Sequence, residues 1–477
     1  MKRENELNER IPENRTNQRD HSSGKDYAEQ VEHSLTAASL AKFGRLSTDE
    51  ARIKFCLGIK STHCLQAKPF FRAKSAEDAA GLRDQAELFL QVGNAKAALQ
   101  LLSRSIMRSP SPAEIAKLAF ASAAQLLDSG EENVTWRNEL IMASKRCEEQ
   151  LAITTECVVS KVPELPKLTA GESGNLASAS RLVEVAHAEE LGRYVRAAET
   201  IHVGDTLLVE PAYVACLLTE KSGTHCHHCF ARLVAPVACP VCSGVAFCGP
   251  DCQAEACDTY HKVECRFNNL FIGSGMSILC HMALRMITRA GSADKFVAMW
   301  KAANQGTAKS KKQQAKEEAE IDNYRRVLGL VSHQTQRTTK DFLHRSLMAI
   351  FLLKCLQQAN FFTRTSKTDT DLNETESLVA QALLKHLQIL QFNAHEVLET
   401  LARAKNRIKG SRTQYLGVAL YSSVALFNHD CYPGVAREVC LAMDALRVCL
   451  AARWGTVVIP EIKEKPPQDP EDRVTTH

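Results

Sequence analysis

Along this chain the spacing of apolar residues changes twice, from none to helical and then to extended, and each change marks a boundary. Residues 1 to about 45 are polar, rich in Asn, Glu, Arg and Ser with few large apolar groups. Such a stretch buries too little surface to offset its ordering entropy, so 1–74 is expected to be largely disordered or weakly ordered. From 75 to 153 apolar positions recur at helical intervals. The run TTECVVSKVPELPKLTAGESG at 154 to 174 breaks that period with Thr, Pro and Gly, which predicts a linker over 154–180. Residues 181 to 216 then alternate in short β-like runs (RLVEV, RYVRAA, DTLLVEPAYVACL) separated at Gly192, Gly204 and Pro211, predicting two or three strands. Helical patterning returns at 267 to 303, 320 to 362 and 376 to 406.

One part of the first helical region carries small and large residues at fixed offsets: Leu82, Ala86, Phe89, Gly93, Ala98, Leu102 and Pro110. That pattern is tetratricopeptide-like, with Ala86 and Ala98 letting two helices approach, Gly93 turning the chain and Pro110 stopping the second helix. Such a hairpin needs neighbours, and the stretch to 153 is expected to supply them.

Between the extended and the second helical region lies the densest chemistry of the chain. Cys226/Cys229, Cys239/Cys242, Cys248/Cys252 and His261/Cys265 form four donor pairs. Zinc takes four thiolate or imidazole ligands in a tetrahedron, and a CxxC turn delivers two sulfurs to one ion, so eight donors predict two zinc ions. The pairs can divide consecutively or interleaved, and spacing alone permits both. A disulfide knot is the competing reading, but paired CxxC units without a secretory signal favour metal. Gly and Pro punctuate this segment, so metal must supply much of its folding energy. His225, His227, His228 and Cys257 are spare donors expected to be exposed or to stand outside the ligand set, with Cys257 replacing His261 if the register slips, and Phe230, Phe247 and Tyr260 are expected to offer apolar platforms for a docked peptide. Asp251, Glu255, Asp258 and Glu264 outnumber Arg232 and Lys262, so the segment should repel nucleic acid.

Composition adds bounds. The 477 residues suggest about three domains, and the net charge of +4 selects no partner. Met1 to Arg19 has no apolar core of a signal peptide, and no stretch approaches the roughly 18 uncharged apolar residues of a membrane span. Eighteen cysteines, with Cys56, Cys157, Cys355 and Cys440 scattered, fit reduced buried thiols and an intracellular protein of cytoplasm and nucleus. The basic run at Lys309, Lys311, Lys312 and Lys316 reads as a solvated loop or as an import patch.

LGRYVRAAETIHVGDTLLVEPAYV, then the eight-donor cluster, then a helical insert, then YSSVALFNHDCYPG resembles a SET domain split by a MYND finger, as in the SET and MYND domain-containing proteins. The likeness extends to RSLMAIFLLKCL and LLKHLQILQFNAHEV and covers about residues 75 to 440. It implies an α+β fold: a tetratricopeptide-like array (75–153), the first part of SET (181–222), the finger (226–265), a helical insert (266–406), the second part of SET (407–440) and a divergent tail (441–477). It also implies a protein-lysine methyltransferase that uses S-adenosylmethionine, with Leu191, Gly192, Arg193, Asn393, Asn428 and His429 on the cofactor. Implied partners are a protein substrate bearing a lysine and peptides docking on finger and helices, with no direct nucleic acid and no membrane. Tyr194 stands where the family commonly has Gly, Asp430 replaces a usual Ser and Gly434 a usual Asn. In related SET domains a tyrosine lining the methyl-transfer pore follows the NHxCxP segment. Here no tyrosine follows Tyr432, so SET reads as truncated or divergent, no catalytic residue is assigned, and weak transfer or a non-catalytic scaffold is the alternative.

Overall fold

A computed structural model describes residues 24–59, 67–92, 94–110, 166–189, 192–233, 236–273, 276–305, 315–363, 371–403, 407–429, 434–442 and 445–452. The architecture is α+β, as expected.

The described residues begin with three helices: α1 (Gly24–Ser34), α2 (Ala37–Gly44) and α3 (Asp49–Leu57). They correct the expectation of disorder for this part of 1–74. Their apolar residues are sparse but placed on one side, and Val31, Phe43, Ile53 and Cys56 are fully buried in the main helical core. Thr36 and Thr48 cap α2 and α3 by accepting from the amides of Ser39 and Ala51. The surface that covers them comes from more than 280 residues downstream, on helices α12 and α13 introduced below, which is why local composition did not reveal it.

Helices α4 (Ala76–Gln91) and α5 (Ala95–Arg108) form the expected antiparallel hairpin, with Ala86 and Ala98 both fully buried where the helices meet. Asn94 caps α5. Gly93 and residues 111–153 lie outside the described part.

The β-structure is assembled from both sides of the finger. β1 (Val183–Ala188) pairs antiparallel with β2 (Gly192–Ala197). β3 (Thr206–Pro211) and β4 (Val214–Leu217) precede the finger, which carries the short pair β5 (Val237–Ala238) and β6 (Ala246–Phe247). After the insert come β7 (Ala394–Arg403), β8 (Arg407–Leu420), β9 (Val435–Ala442) and β10 (Ala445–Ala452). One sheet runs β4-β8-β7 and another β3-β10-β9. Three expectations change here. Among the described residues, four strands, not two or three, lie between Val183 and Leu217 ahead of the finger. Residues 394–403, expected to continue a helix, are a strand, because Ala394 enters the β8 ladder opposite Leu420. The tail assigned to 441–477 begins inside a sheet, since β10 lies between β3 and β9. The second half of the expected linker is structural too: Leu176 and Ala179 are buried in the β core, and Ser180 donates its amide to Leu207.

The finger contributes α6 (Pro250–Asp258) and α7 (His261–Glu264). The insert follows as α8 (Asn268–Gly273), α9 (Ile278–Thr288), α10 (Ala293–Gln305), α11 (Ala315–Leu328), α12 (Thr339–Gln358) and α13 (Glu374–Asn393). A capping box starts α13, Asn373 accepting from the Glu376 amide while Glu376 accepts from the Asn373 amide. Lys309, Lys311 and Lys312 lie outside the described residues.

Candidate metal centres and cofactor site

The eight expected donors gather into two groups of four. Cys226, Cys229, Cys248 and Cys252 bring their sulfurs within 4.8 Å of one another, and Cys239, Cys242, His261 and Cys265 do the same with three sulfurs and an imidazole nitrogen. The first and third pairs thus share one group and the second and fourth the other, an interleaved arrangement that the spacing had left open. Four ligands at about 2.3 Å from one tetrahedral ion stand about 3.8 Å apart. Cys229 and Cys248 are 3.5 Å apart, Cys248 and Cys252 3.6 Å, and Cys239 and Cys265 3.9 Å; His261 Nε2 is 3.6 Å from the Cys242 sulfur. The donors therefore fit a zinc-sized ion in each group. In the second knuckle the amides of Val241 and Cys242 point at the Cys239 sulfur, at 3.4 and 3.5 Å, and stabilise its charge.

The spare donors lie outside both four-donor groups, one of the two alternatives expected. His225 and His227 are buried. His225 Nε2 meets Glu399 on β7 at 3.3 Å, and Arg232 meets the same carboxylate at 2.5 Å. His227 Nε2 accepts from Arg285 at 2.9 Å. Arg285, on α9, also forks onto Glu264 at 2.9 and 2.5 Å, donates to the Ala215 carbonyl at 2.6 Å and lies 4.0 Å over the Tyr260 ring. Burial pushes the Glu264 carboxyl up, but Arg285 and His281 outweigh it and hold the group well below the usual range. His227, His261 and Glu264 approach one another as a further cluster, but Arg285 takes the carboxylate, so this group is an ion-pair network and not a cation site. His228 pairs with the Tyr260 hydroxyl at 3.0 Å, and Cys257 is half-buried against the finger core. The expected platforms are corrected: Phe230, Phe247 and Tyr260 are 0%, 0% and 6% exposed and form the finger's interior and its seat on the sheet. Phe230 packs so closely under β8 that a Cβ at Gly417 would fall 2.6 Å from its ring.

The other candidate residues come from four separate elements. Gly192, at φ +66°, opens β2 in a backbone region that side chains seldom adopt. Arg193 reaches across to donate to the Gly329 carbonyl at 2.7 Å, in the turn that ends α11. Asn393 closes α13, buried, with its amide donating to the carbonyls of Val331 and Ile389 at 2.7 Å each. Its carbonyl oxygen is what it can offer a ligand. Val331 and Phe392 beside it are each 48% exposed, an apolar surface next to a polar group. Asn428 and His429 follow a tight turn at Val424–Leu426 that approaches β2, and Asn428 is exposed. Leu191, Cys431 and Pro433 lie outside the described residues. Tyr194 pairs with Ala186 along the β1–β2 ladder.

Residues that the sequence reading missed hold this arrangement together. Glu210, at the end of β3, is 5% exposed and accepts from the Ser422 hydroxyl at 2.8 Å, the Ser423 amide at 3.0 Å and the Val424 amide at 2.9 Å. Burial raises its carboxyl above the ordinary value, partly countered by the Val424, Ser422 and Ser423 bonds. Asn323 and Arg326 of α11 contact the same Ser422 hydroxyl at 3.2 and 3.4 Å. The end of α11 thus touches Arg193, Asn393 and the 422–424 turn together. A glutamate inside an apolar strand (LLVEP) was the available signal for Glu210.

Residues 226–265 match the family model for the MYND finger. The chain is 24% identical over 324 residues to protein-lysine N-methyltransferase SMYD4 of Gallus gallus, covering 56% of this chain and 43% of that protein. It is 23% identical over 427 residues to the Danio rerio protein of the same name (78% and 56%), and 26% identical over 249 residues to N-lysine methyltransferase SMYD2 of Mus musculus (51% and 45%). The chain therefore spans about half the length of these relatives.

Proposed function

We propose that this chain, which carries a MYND finger and is homologous to the SET and MYND domain lysine methyltransferases, binds S-adenosylmethionine and methylates lysine in a protein substrate. One observation carries the reading: Gly192 and Arg193, Asn393, and the segment leading to Asn428 and His429 come from distant elements yet converge on the turn that ends α11. In this reading the β-structure built from both sides of the finger is the split SET core, and α4 with α5 is a tetratricopeptide-like hairpin. The two donor groups hold zinc as structural ions, since each offers four protein ligands and no open position. Thiol-rich metal centres of this kind suit a reducing compartment such as cytoplasm or nucleus.

S-adenosylmethionine brings a sulfonium methyl, which a neutral lysine amine accepts in line. Orientation is what the protein contributes. Arg193 and Asn393 fix the Gly329–Val331 turn, Glu210 fixes the 422–424 turn, and the exposed Val331 and Phe392 offer apolar contact to a flat base. Asn428 and His429, at the end of their turn, are the polar groups assigned to the cofactor's polar ends.

The alternative reading is a partner-binding protein without methyl transfer. Calorimetric titration of S-adenosylmethionine into the zinc-loaded chain separates the two. Binding that Asn428→Ala with His429→Ala abolishes supports the methyltransferase reading. No heat from a folded, zinc-loaded chain overturns it.

A further inference from the structure

The finger's second metal loop is already in contact with a peptide, and the peptide belongs to this chain. Residues Ala67–Ser75 run between α3 and α4 across the knuckle that carries Cys239 and Cys242. Phe70 donates its amide to the Arg266 carbonyl at 2.8 Å and accepts from the Asn269 amide at 3.1 Å, just after the last ligand, Cys265. Two residues on, the Arg72 carbonyl accepts from the Ser243 amide at 2.8 Å, and the Ala73 carbonyl accepts from the Ser243 hydroxyl at 2.8 Å. Ala73 forms an antiparallel bridge with Cys242. This is the pattern of an extended peptide added to an existing edge, with backbone bonds giving affinity and alternate side chains giving selectivity.

The side chains fit the same description. Phe71 packs against the finger core, and Met107 of α5 is buried within it. Lys74 spans the junction, its amino group donating to the Met107 carbonyl at 2.8 Å, and Ser75 donates its amide to the Arg108 carbonyl. Phe71 thus packs on the finger core, and Lys74 fixes the strand to it through the carbonyl of Met107, which is buried in the same core.

We propose that residues 67–75 are a ligand held in cis by the finger, and that a second protein can use this face only by presenting an extended segment of the same aromatic-and-lysine character and displacing them. This cis contact is independent of methyl transfer. It makes the finger and the α4–α5 hairpin one unit, whereas the sequence suggested two separate docking surfaces.

A fluorescein-labelled peptide of residues 67–75 tests this by fluorescence anisotropy against the full-length zinc-loaded protein and its Phe71→Asp/Lys74→Glu variant. The variant should bind the peptide at least tenfold more tightly than the parent, and a peptide carrying the same two changes should bind neither. Equal binding by parent and variant, or no binding by a variant that retains two zinc ions, overturns the proposal. If the variant loses zinc or folding, amide exchange in the unmodified protein decides. Protection of both the Phe70 and Ser243 amides is expected, and exchange of either at the rate of an open loop overturns it.

Discussion

Arg285→Met removes the cation that seats the finger on the rest of the molecule while keeping most of the side chain's length and bulk. Arg285 and Glu264 are 3% and 1% exposed, so neither charge can turn to water when its partner goes. The guanidinium makes two bonds to Glu264, one to the Ala215 carbonyl and one to His227 Nε2. After substitution Glu264 keeps His281, at 2.8 Å, and the Ala215 and His227 acceptors lose this donor. Removing one member of a buried ion pair destabilises by about 3–5 kcal/mol, mostly through the charge left behind. At about 2–4 °C per kcal/mol for a domain of ordinary size, melting should fall on the order of 10 °C. The assay is urea or thermal unfolding followed by near-ultraviolet circular dichroism, with zinc content measured in parallel and expected to stay at two ions per chain. Adding Glu264→Leu removes the stranded charge, so the double variant should be more stable than Arg285→Met alone, with a coupling of at least ~1 kcal/mol. A loss under ~1 kcal/mol for the single change, or strict additivity in the double, would refute the view that this pair docks the finger.

Other outcomes follow from the same geometry. Cys226→Ser and Cys242→Ser should each lose one zinc ion per chain by atomic emission, because the two residues sit in different donor groups; loss of the same ion by Cys226→Ser and Cys239→Ser would contradict the interleaved arrangement. Glu210→Ala strands the Ser423 and Val424 amides, so stability should fall by about 2–4 kcal/mol and affinity for S-adenosylmethionine at least tenfold, whereas a fall in stability with unchanged affinity would remove the turn from the cofactor site. His386 is buried against Tyr324, and burial lowers its pKa from the ordinary 6.5 to about 3. The unfolded chain then binds a proton that the folded chain refuses, so this contribution to stability is present above pH 6.5 and is lost as pH falls below it, by about 2 kcal/mol between pH 7 and pH 5. His386→Gln should remove that share of the slope in urea titrations, and an unchanged slope would count against it.

The donor cluster was legible because ligand chemistry leaves a mark at short spacing: thiols in CxxC and CxxxC pairs place sulfurs where a tetrahedral ion needs them, and the residues that do so are near one another in the chain. The strands before the finger and the α4–α5 hairpin were legible through periods of two and 3.6. Val31, Phe43 and Ile53 were not, since a sparse apolar face looks disordered until α12 and α13 cover it. The strand at 394–403 was missed because Val397 and Leu398 suit a helix equally well, and only pairing with β8 settles the choice. Phe230 and Phe247 were read as docking platforms, whereas Phe230 is buried in the β core and Phe247 in the core of the finger.

The sequence by itself determined the ligand types, their number and the places where the chain changes period, all of which depend on residues near one another. Tertiary structure decided how the donor pairs interleave, which strands join across more than 150 intervening residues, that Glu210 holds the 422–424 turn, and that residues 67–75 lie on the finger. Each of those is a contact between distant parts of the chain, and contacts of that kind are set by shape, burial and hydrogen bonding in three dimensions and leave no periodic trace in the sequence.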